Sequence, residues 1–335
     1  MYLKKFEVMY IFLLEKFRKI FKSMEKIETK IIDNIIYRTD KTEKQFILKD
    51  YHFKRVIEKK CEPRKIAIVI CFYFRRGKLK TLNKNILEIA SYNFNTDLTV
   101  ITNDLKKEDE LKLNKILKKR IKKYLIIKFK DLPDENFLPW HSLSVMRSKI
   151  KDSSYSHFMY LEDDIIVSSK NISYWIYFRK VLKNINLIPN FIRCEAYEGK
   201  LFSVDNPKKI IKNKNPIIFT ESKKFGFINS KYPYSAMYLM DRELLKNFLK
   251  SKATRIDFSF SNSVMKSLYP IKELVNISYA YLNVPKRYHN RLVLPFEKNI
   301  IPEYSIIKHN DLKYVKHKSL NKMGYGTINI KSLII

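Results

Sequence analysis

Three consecutive carboxylates, Glu162-Asp163-Asp164, sit between two apolar runs, Phe158 to Leu161 and Ile165 to Val167. Carboxylates held in such a setting cost free energy unless something compensates them. In an extended segment Glu162 and Asp164 point to one side and Asp163 to the other. Oxygen ligands at a strand end suit a hard divalent cation that keeps water or phosphate oxygens in its shell. The competing reading is a strand-to-loop turn whose carboxylates cap a helix starting near Ser173. A second acidic run, Glu108-Asp109-Glu110, lies in a polar helical stretch and reads as a solvated face.

The segments around the triplet alternate between strand and helix. Ile66 to Phe74 is a continuous apolar run of buried-strand type, ended by Arg75-Arg76-Gly77. A helix is expected over 78–92, a strand over Leu98 to Thr102 ending at Asn103-Asp104, and a Lys-rich helix over 105–123. A strand follows over Tyr124 to Phe129, a helix from about Trp140 to Ile150, and a strand over Phe158 to Leu161. This order predicts an α/β fold with a mainly parallel sheet flanked by helices. Ligands of such sheets bind outside the carboxyl ends of the strands. Arg75 and Arg76, Asn103 and Asp104, and the acidic triplet all fall there.

Composition removes several alternatives. The 335 residues include only 5 glycines, and none forms a phosphate-binding glycine loop. A bound phosphate must therefore be met by side chains or a metal. The formal charge is +33, but only 14 of the 67 basic residues are arginine, the favoured reader of bases and phosphates. Most of the charge reads as lysine spread over solvated surface, and nucleic acid is not the expected partner. Cys61, Cys71 and Cys194 support neither a disulfide framework nor a paired metal site, which fits a reducing cytoplasm. No apolar run approaches the roughly 20 residues of a transmembrane helix.

Residues 1–64 read as an amphipathic helix over 2–28 and a polar connector. An aromatic apolar face opposite Lys and Arg suits a helix lying on a membrane or packed on a protein surface. The main domain is expected to span 65–335.

The stretch Phe158 to Val167, followed by Asn171 to Phe178, resembles the D-x-D region of GT-A-fold glycosyltransferases. It looks most like the E-D-D variant of the N-acetylglucosaminyltransferase I type. The resemblance runs roughly over 65–260. Phe191 to Gly199 is similar to the strand and turn after the motif, and Tyr232 to Arg242 to the acceptor-side segment. There Ser235 and Ala236 replace the family's glycine-rich wording. The resemblance implies a GT-A-like (Rossmann-like) sheet, with a nucleotide-binding half over 65–167 and an acceptor-side half over 168–335. Asp164 would bind Mn2+ or Mg2+, with His309 as a further ligand and His289 as second choice. Glu162 and Asp163 would bond the ribose or donor sugar. Arg75, Arg76, Asn103 and Asp104 are further donor contacts. Asp257 is the candidate general base, with an N-cap role as its alternative. Glu195 would touch donor or acceptor, with Arg193 one strand period away to pair with it.

Together these readings point to a metal-dependent glycosyltransferase. It would use a nucleotide sugar, a UDP-sugar first, and a glycan or lipid-linked acceptor, with peripheral contact at the inner face of a membrane. The rivals are a metal-dependent nucleotidyl- or phosphotransferase and a basic nucleic-acid-binding module.

Overall fold

The computed structural model describes residues 38–39, 48–75, 77–256 and 270–335. The amphipathic segment 2–28, Arg76 and Asp257 lie outside the described residues. The chain runs α1 (Tyr51–Glu58), β1 (Lys65–Phe72), α2 (Leu79–Ala90), β2 (Asn95–Asn103), α3 (Lys107–Arg120) and β3 (Tyr124–Phe129). It continues through α4 (Ser142–Lys149), β4 (His157–Glu162), β5 (Ile165–Ile166), α5 (Ser169–Leu182), β6 (Ile188–Pro189), β7 (Ile192–Tyr197) and β8 (Lys200–Ser203). Further strands are β9 (Ile217–Phe219), β10 (Phe225–Ile228), β11 (Met237–Asp241), β12 (Leu292–Glu297), β13 (Ile306–His309) and β14 (Ile328–Asn329), and the short segments Arg38–Thr39 and Val284–Pro285 pair parallel apart from them. The helices among them are α6 (Arg242–Lys250), α7 (Ile271–Ile277), α8 (Lys313–Lys316) and α9 (Lys318–Lys322).

A central five-stranded sheet has the order β11-β4-β1-β2-β3. β4, β1, β2 and β3 are parallel and β11 closes the edge antiparallel to β4. The expected α/β architecture with a mainly parallel sheet is therefore the observed one. Ile66 to Ile70 are almost completely buried, in a central strand flanked by β4 and β2 and packed by α4. The apolar core also takes Phe53 and Val56 of α1, with the Phe53 ring 5.1 Å from that of Phe178. Boundaries moved by a few residues. The expected helix from Trp140 begins at Ser142, because Glu135–His141 forms a 3-10 turn around Pro139.

A second sheet, β14-β8-β7-β13-β5, and a third, β9-β10-β12-β6, enclose a smaller apolar cluster that includes Ile192, Cys194, Ile228, Leu294 and Phe296. The chain changes sheets at Asp163-Asp164. β4 ends at Glu162 in the central sheet, and β5 pairs antiparallel with β13 in the second. The triplet thus lies on the seam between two sheets. Among the described residues no helix is long and apolar enough to cross a membrane. Cys61, Cys71 and Cys194 are buried and free.

Candidate functional site

The turn at the end of β4 sends the three carboxylates toward three different elements, so the simple alternation expected of an extended strand stops at Glu162. Glu162 Oε1 accepts the Tyr234 hydroxyl at 2.8 Å. Asp163, only 5% exposed, faces the Lys78 ammonium at 3.4 Å. Asp164 Oδ2 lies 3.4 Å from His309 Nε2.

Sheet register brings His309 to Asp164. In the β5–β13 pair Ile165 opposes His309, and the Asn310 N–H donates to the Asp164 carbonyl at 2.8 Å. On its other side β13 runs parallel to β7, with Lys308 opposite Cys194, so the next step of the register aligns His309 with Glu195. His309 Nδ1 lies 2.6 Å from Glu195 Oε1. Glu195 is fully buried and also accepts the backbone N–H groups of Tyr314, at 3.1 Å, and Val315, at 2.8 Å. Arg193, expected to pair with Glu195, instead forms a two-pronged ion pair with Asp205, at 3.0 Å for its Nε. Glu195 already has three partners, whereas Asp205 presents both oxygens to the planar guanidinium. The Tyr234 and Tyr314 rings lie 5.4 and 5.2 Å from the Arg193 guanidinium carbon.

The capping alternative for the triplet does not hold. α5 starts at Ser169, and its N-terminus is closed by Ser168 and Asn171 in a reciprocal capping box.

The electrostatics follow from crowding acids in a buried place. Burial, then the charge of Asp164, pushes the Asp163 carboxyl up to about 7. Burial and Asp164 likewise raise Glu162. Burial would also raise Asp164, but its hydrogen bond to His309 and the neighbouring cations hold it down to about 2. His309 is disfavoured as a cation by burial, yet hydrogen bonds to Asp164 and Glu195 lift it to about 9. A proton on Nε2 therefore bridges the pair, and a divalent cation would compete for the same atom.

The residues fit such a cation. Asp164 Oδ1 is buried with no hydrogen-bond partner. Asp164 Oδ2 and His309 Nε2 point at one another, and the second ring nitrogen of His309 is held by a carboxylate, the usual outer support of a metal-bound histidine. Among the described residues no group of three or more His, Cys, Asp or Glu forms a complete cage. Two protein ligands suit a hard cation that fills its shell with water and phosphate oxygens.

The other expected residues are placed as follows. Asn103 accepts the Phe74 N–H at 2.7 Å and ties the carboxyl ends of β1 and β2 together. Arg75 forms an exposed ion pair with Glu135, and Asp104 is exposed. His289 is joined to Asn229 through its backbone N–H at 2.7 Å. At the Ser235-Ala236 step Ala236 has φ +56°, a conformation that favours glycine, while its carbonyl accepts the Glu162 N–H at 3.2 Å. A glycine-favouring backbone is thus present without a glycine.

Sequence reasoning missed Lys78, Asp205 and Glu273. Lys78 was one lysine among many, and nothing in its spacing marked it. Asp205 follows β8 and meets Arg193 only through tertiary folding. Glu273 is half-buried in the first turn of α7, where burial and the nearby Glu162 push its carboxyl up to about 8.

No protein-family model matches the sequence, and no curated protein matches it. Among solved structures the chain is similar to S. aureus TarS, at 10% identity and a TM-score of 0.41, covering 77% of this chain and 39% of that one. It is also similar to the mannosyltransferase PcManGT from Pyrobaculum calidifontis in complex with GDP-Man and Mn2+. That likeness has 9% identity and a TM-score of 0.34, and covers 63% of this chain and 59% of the other. The chain thus spans less than two thirds of the length of either structure.

Proposed function

We propose that the chain is a metal-dependent glycosyltransferase that moves a sugar from a nucleotide sugar to a glycan or glycolipid acceptor. The observation that carries this reading is the Asp164–His309–Glu195 relay at the carboxyl end of a parallel sheet, with one Asp164 oxygen buried and unpartnered. Asp164 and His309 would hold Mn2+ or Mg2+, which supplies charge neutralisation for a departing nucleoside diphosphate. Glu195 orients the His309 ring and, through the Tyr314 and Val315 N–H groups, fixes the segment after β13. This position suits a supporting role for Glu195 rather than contact with donor or acceptor. Lys78 lies beside the carboxylates, half out of solvent, where it can meet a phosphate oxygen. Glu162, Asp163, Arg75, Arg76, Asn103 and Asp104 remain the proposed donor contacts.

The full-length chain incubated with a panel of nucleotide sugars, with and without Mn2+, tests the reading. Metal-dependent release of nucleoside diphosphate is expected. Release of pyrophosphate would instead mark a nucleotidyltransferase. A protein that binds oligonucleotides, loses them with salt, and keeps them in Asp164→Ala while turning over no donor would be a nucleic-acid module. The acceptor proposal places the enzyme in surface polysaccharide synthesis at the inner face of a membrane. Unchanged liposome association after deletion of residues 1–28 would refute the membrane part.

A further inference from the structure

A cleft of about 520 Å3 opens at the amino end of β4. His157, the first residue of that strand, lines it, and the strand runs on to Glu162, so about 17 Å of extended chain separates the cleft from the acidic triplet. Its walls come from the last turns of α5, the junction of β11 with α6, and Arg64 just before β1. Five cations and two carboxylates line it. Both carboxylates are taken. Arg179 Nε lies 2.8 Å from Asp241 Oδ2, and Lys183 pairs with Glu243. The other three cations have no counter-ion among the described residues. Arg64 donates to the carbonyls of Ser153, at 2.5 Å, and Ser154, at 3.2 Å. Arg242 donates to the carbonyls of Asp152, at 2.9 Å, Tyr155, at 3.0 Å, and Ile150. Lys180 is exposed, with neither hydrogen bond nor ion pair among the described residues. At the same end of the sheet Lys65, Lys123 and Lys149 share Asp97, so the surplus belongs to the cleft alone.

Backbone carbonyls fix the two guanidiniums without neutralising them. A guanidinium carries five N–H donors, so Arg64, which spends two, and Arg242, which spends three, both keep donors for a ligand. Cations held in place lose little freedom when an anion arrives, and charge-assisted bonds are the strong ones. The three approach from different elements. A planar carboxylate is satisfied by one guanidinium fork, whereas a tetrahedral phosphate offers oxygens in several directions at once. The cleft is of the size that holds a small organic molecule, and Ile176 and Tyr155 give it an apolar stretch of wall. We propose that this cleft binds a phosphate-bearing molecule, a phosphate or diphosphate ester, through Arg64, Lys180 and Arg242. The site is separate from the acid cluster and needs nothing from the sugar-transfer reading.

Calorimetry of the full-length protein with inorganic pyrophosphate tests the site. EDTA is present throughout, so that no divalent cation bridges the anion to Asp164. The double variant Arg64→Ala, Lys180→Ala should bind at least about tenfold more weakly than wild type. Lys180→Ala alone breaks no contact within the fold and should still weaken binding about threefold. A control with the same loss of charge, Lys118→Ala with Lys119→Ala, removes exposed residues of α3, which leads into the far edge strand β3, and should change affinity less than about twofold. No binding by the wild type overturns the proposal, as does an equal loss in the control, which would make the attraction one of net charge. Loss in Lys78→Ala with the double variant unchanged would place the anion at the carboxyl end of the sheet and overturn it too. Succinate bound as tightly as inorganic phosphate at pH 8, where both carry about two charges, would overturn the phosphate class. Vesicles containing phosphatidic acid separate the two sources of the group. Association lost in the double variant identifies a lipid headgroup, and association unchanged identifies a soluble ester.

Discussion

At the amino end of the central sheet, Asp97 of β2 is 4% exposed and enclosed by cations. Lys123 lies 3.0 Å away, Lys65 3.4 Å and Lys149 4.0 Å, and the Tyr155 hydroxyl donates to the same carboxylate. The Lys65 ammonium also stands 4.2 Å from the centre of the Tyr155 ring. At the carboxyl end the ratio is inverted. Glu162, Asp163 and Asp164 share Lys78, His309 and Tyr234, and Asp164 keeps a buried oxygen without a partner. Both ends contain buried carboxylates, so burial alone does not mark a site. What distinguishes them is compensation. An acid surrounded by surplus cations is held for folding, whereas acids in surplus are set to receive a cation from outside.

The comparison breaks most severely at Asp164. Asp164→Asn keeps the shape of the side chain and removes its charge. Loss of a cation's contribution, several kcal/mol of transition-state stabilisation, should lower donor turnover by about a thousandfold or more. Chelation of the wild type with excess EDTA should do the same. His309 and the neighbouring cations compensate the Asp164 charge, so some loss of stability is expected as well, and turnover is compared per folded molecule. Full turnover in Asp164→Asn, or in EDTA, would remove the metal from the reading.

Asp97→Asn tests the other end. Three cations lose their shared anion, and removing one partner of a buried pair costs about 3–5 kcal/mol. The lysines here are partly exposed, so a loss of about 2 kcal/mol in unfolding free energy is expected, read from a lowered denaturant midpoint at unchanged slope. Turnover per folded molecule should not change. If Asp97→Asn abolished turnover while the fold stayed intact, the division between a folding end and a ligand end would fail.

The difference between the ends was only half legible in the sequence. The strands β1, β2 and β4 were readable because strands buried on both faces are written as apolar runs, β3 is a half-exposed edge strand that shares their apolar composition, and the order of the four implied the parallel sheet. The triplet stood out for the same reason, as charges interrupting such a run. The second sheet was harder to read. β5 has two residues and β13 four, too short to show a period, and they pair across most of the chain's second half. His309 was named by resemblance and not by pattern, and its approach to Asp164 depends on that pairing. Glu273 carried no signal at all: one acid in a short helix looks like any solvated position until folding half-buries it within the field of Glu162.

Glu195 sharpens the comparison at a smaller scale. It is buried like Asp97 but supports a side chain that faces the candidate cation. Glu195→Gln keeps one carbonyl oxygen for the Tyr314 and Val315 N–H groups and loses the charge beside His309 Nδ1. Losing an outer-shell partner typically costs about 10–100-fold in metal affinity. Titration of Mn2+, followed by the paramagnetic signal of the free ion, should show a shift in that range. An unchanged affinity would make the Glu195–His309 contact purely structural.

The smallest expected effect is a slope in stability with pH, and its sign differs between the two ends of β4. His157 begins the strand, and burial lowers its imidazole to about 4. Below pH 6.5 the unfolded chain binds the proton that folded His157 excludes, so this residue makes stability rise with pH between about 4 and 6.5. Glu273 feels burial and the charge of Glu162 at the other end of the strand, and its carboxyl is raised from 4.5 to about 8. Between those values the folded protein keeps a proton that the unfolded chain has released, so stability falls as pH rises. The charges of Glu162, Arg193, Lys272 and Asp205 act on the carboxyl, so these groups add their own slope. Subtracting the wild-type melting curve from that of Glu273→Gln removes those shared terms. The variant's advantage should be absent below pH 4.5, grow across pH 5 to 8, and level off above. A difference independent of pH would mean that Glu273 titrates as a solvated acid, and the acids crowded at this end of β4 would then not act on one another as charges.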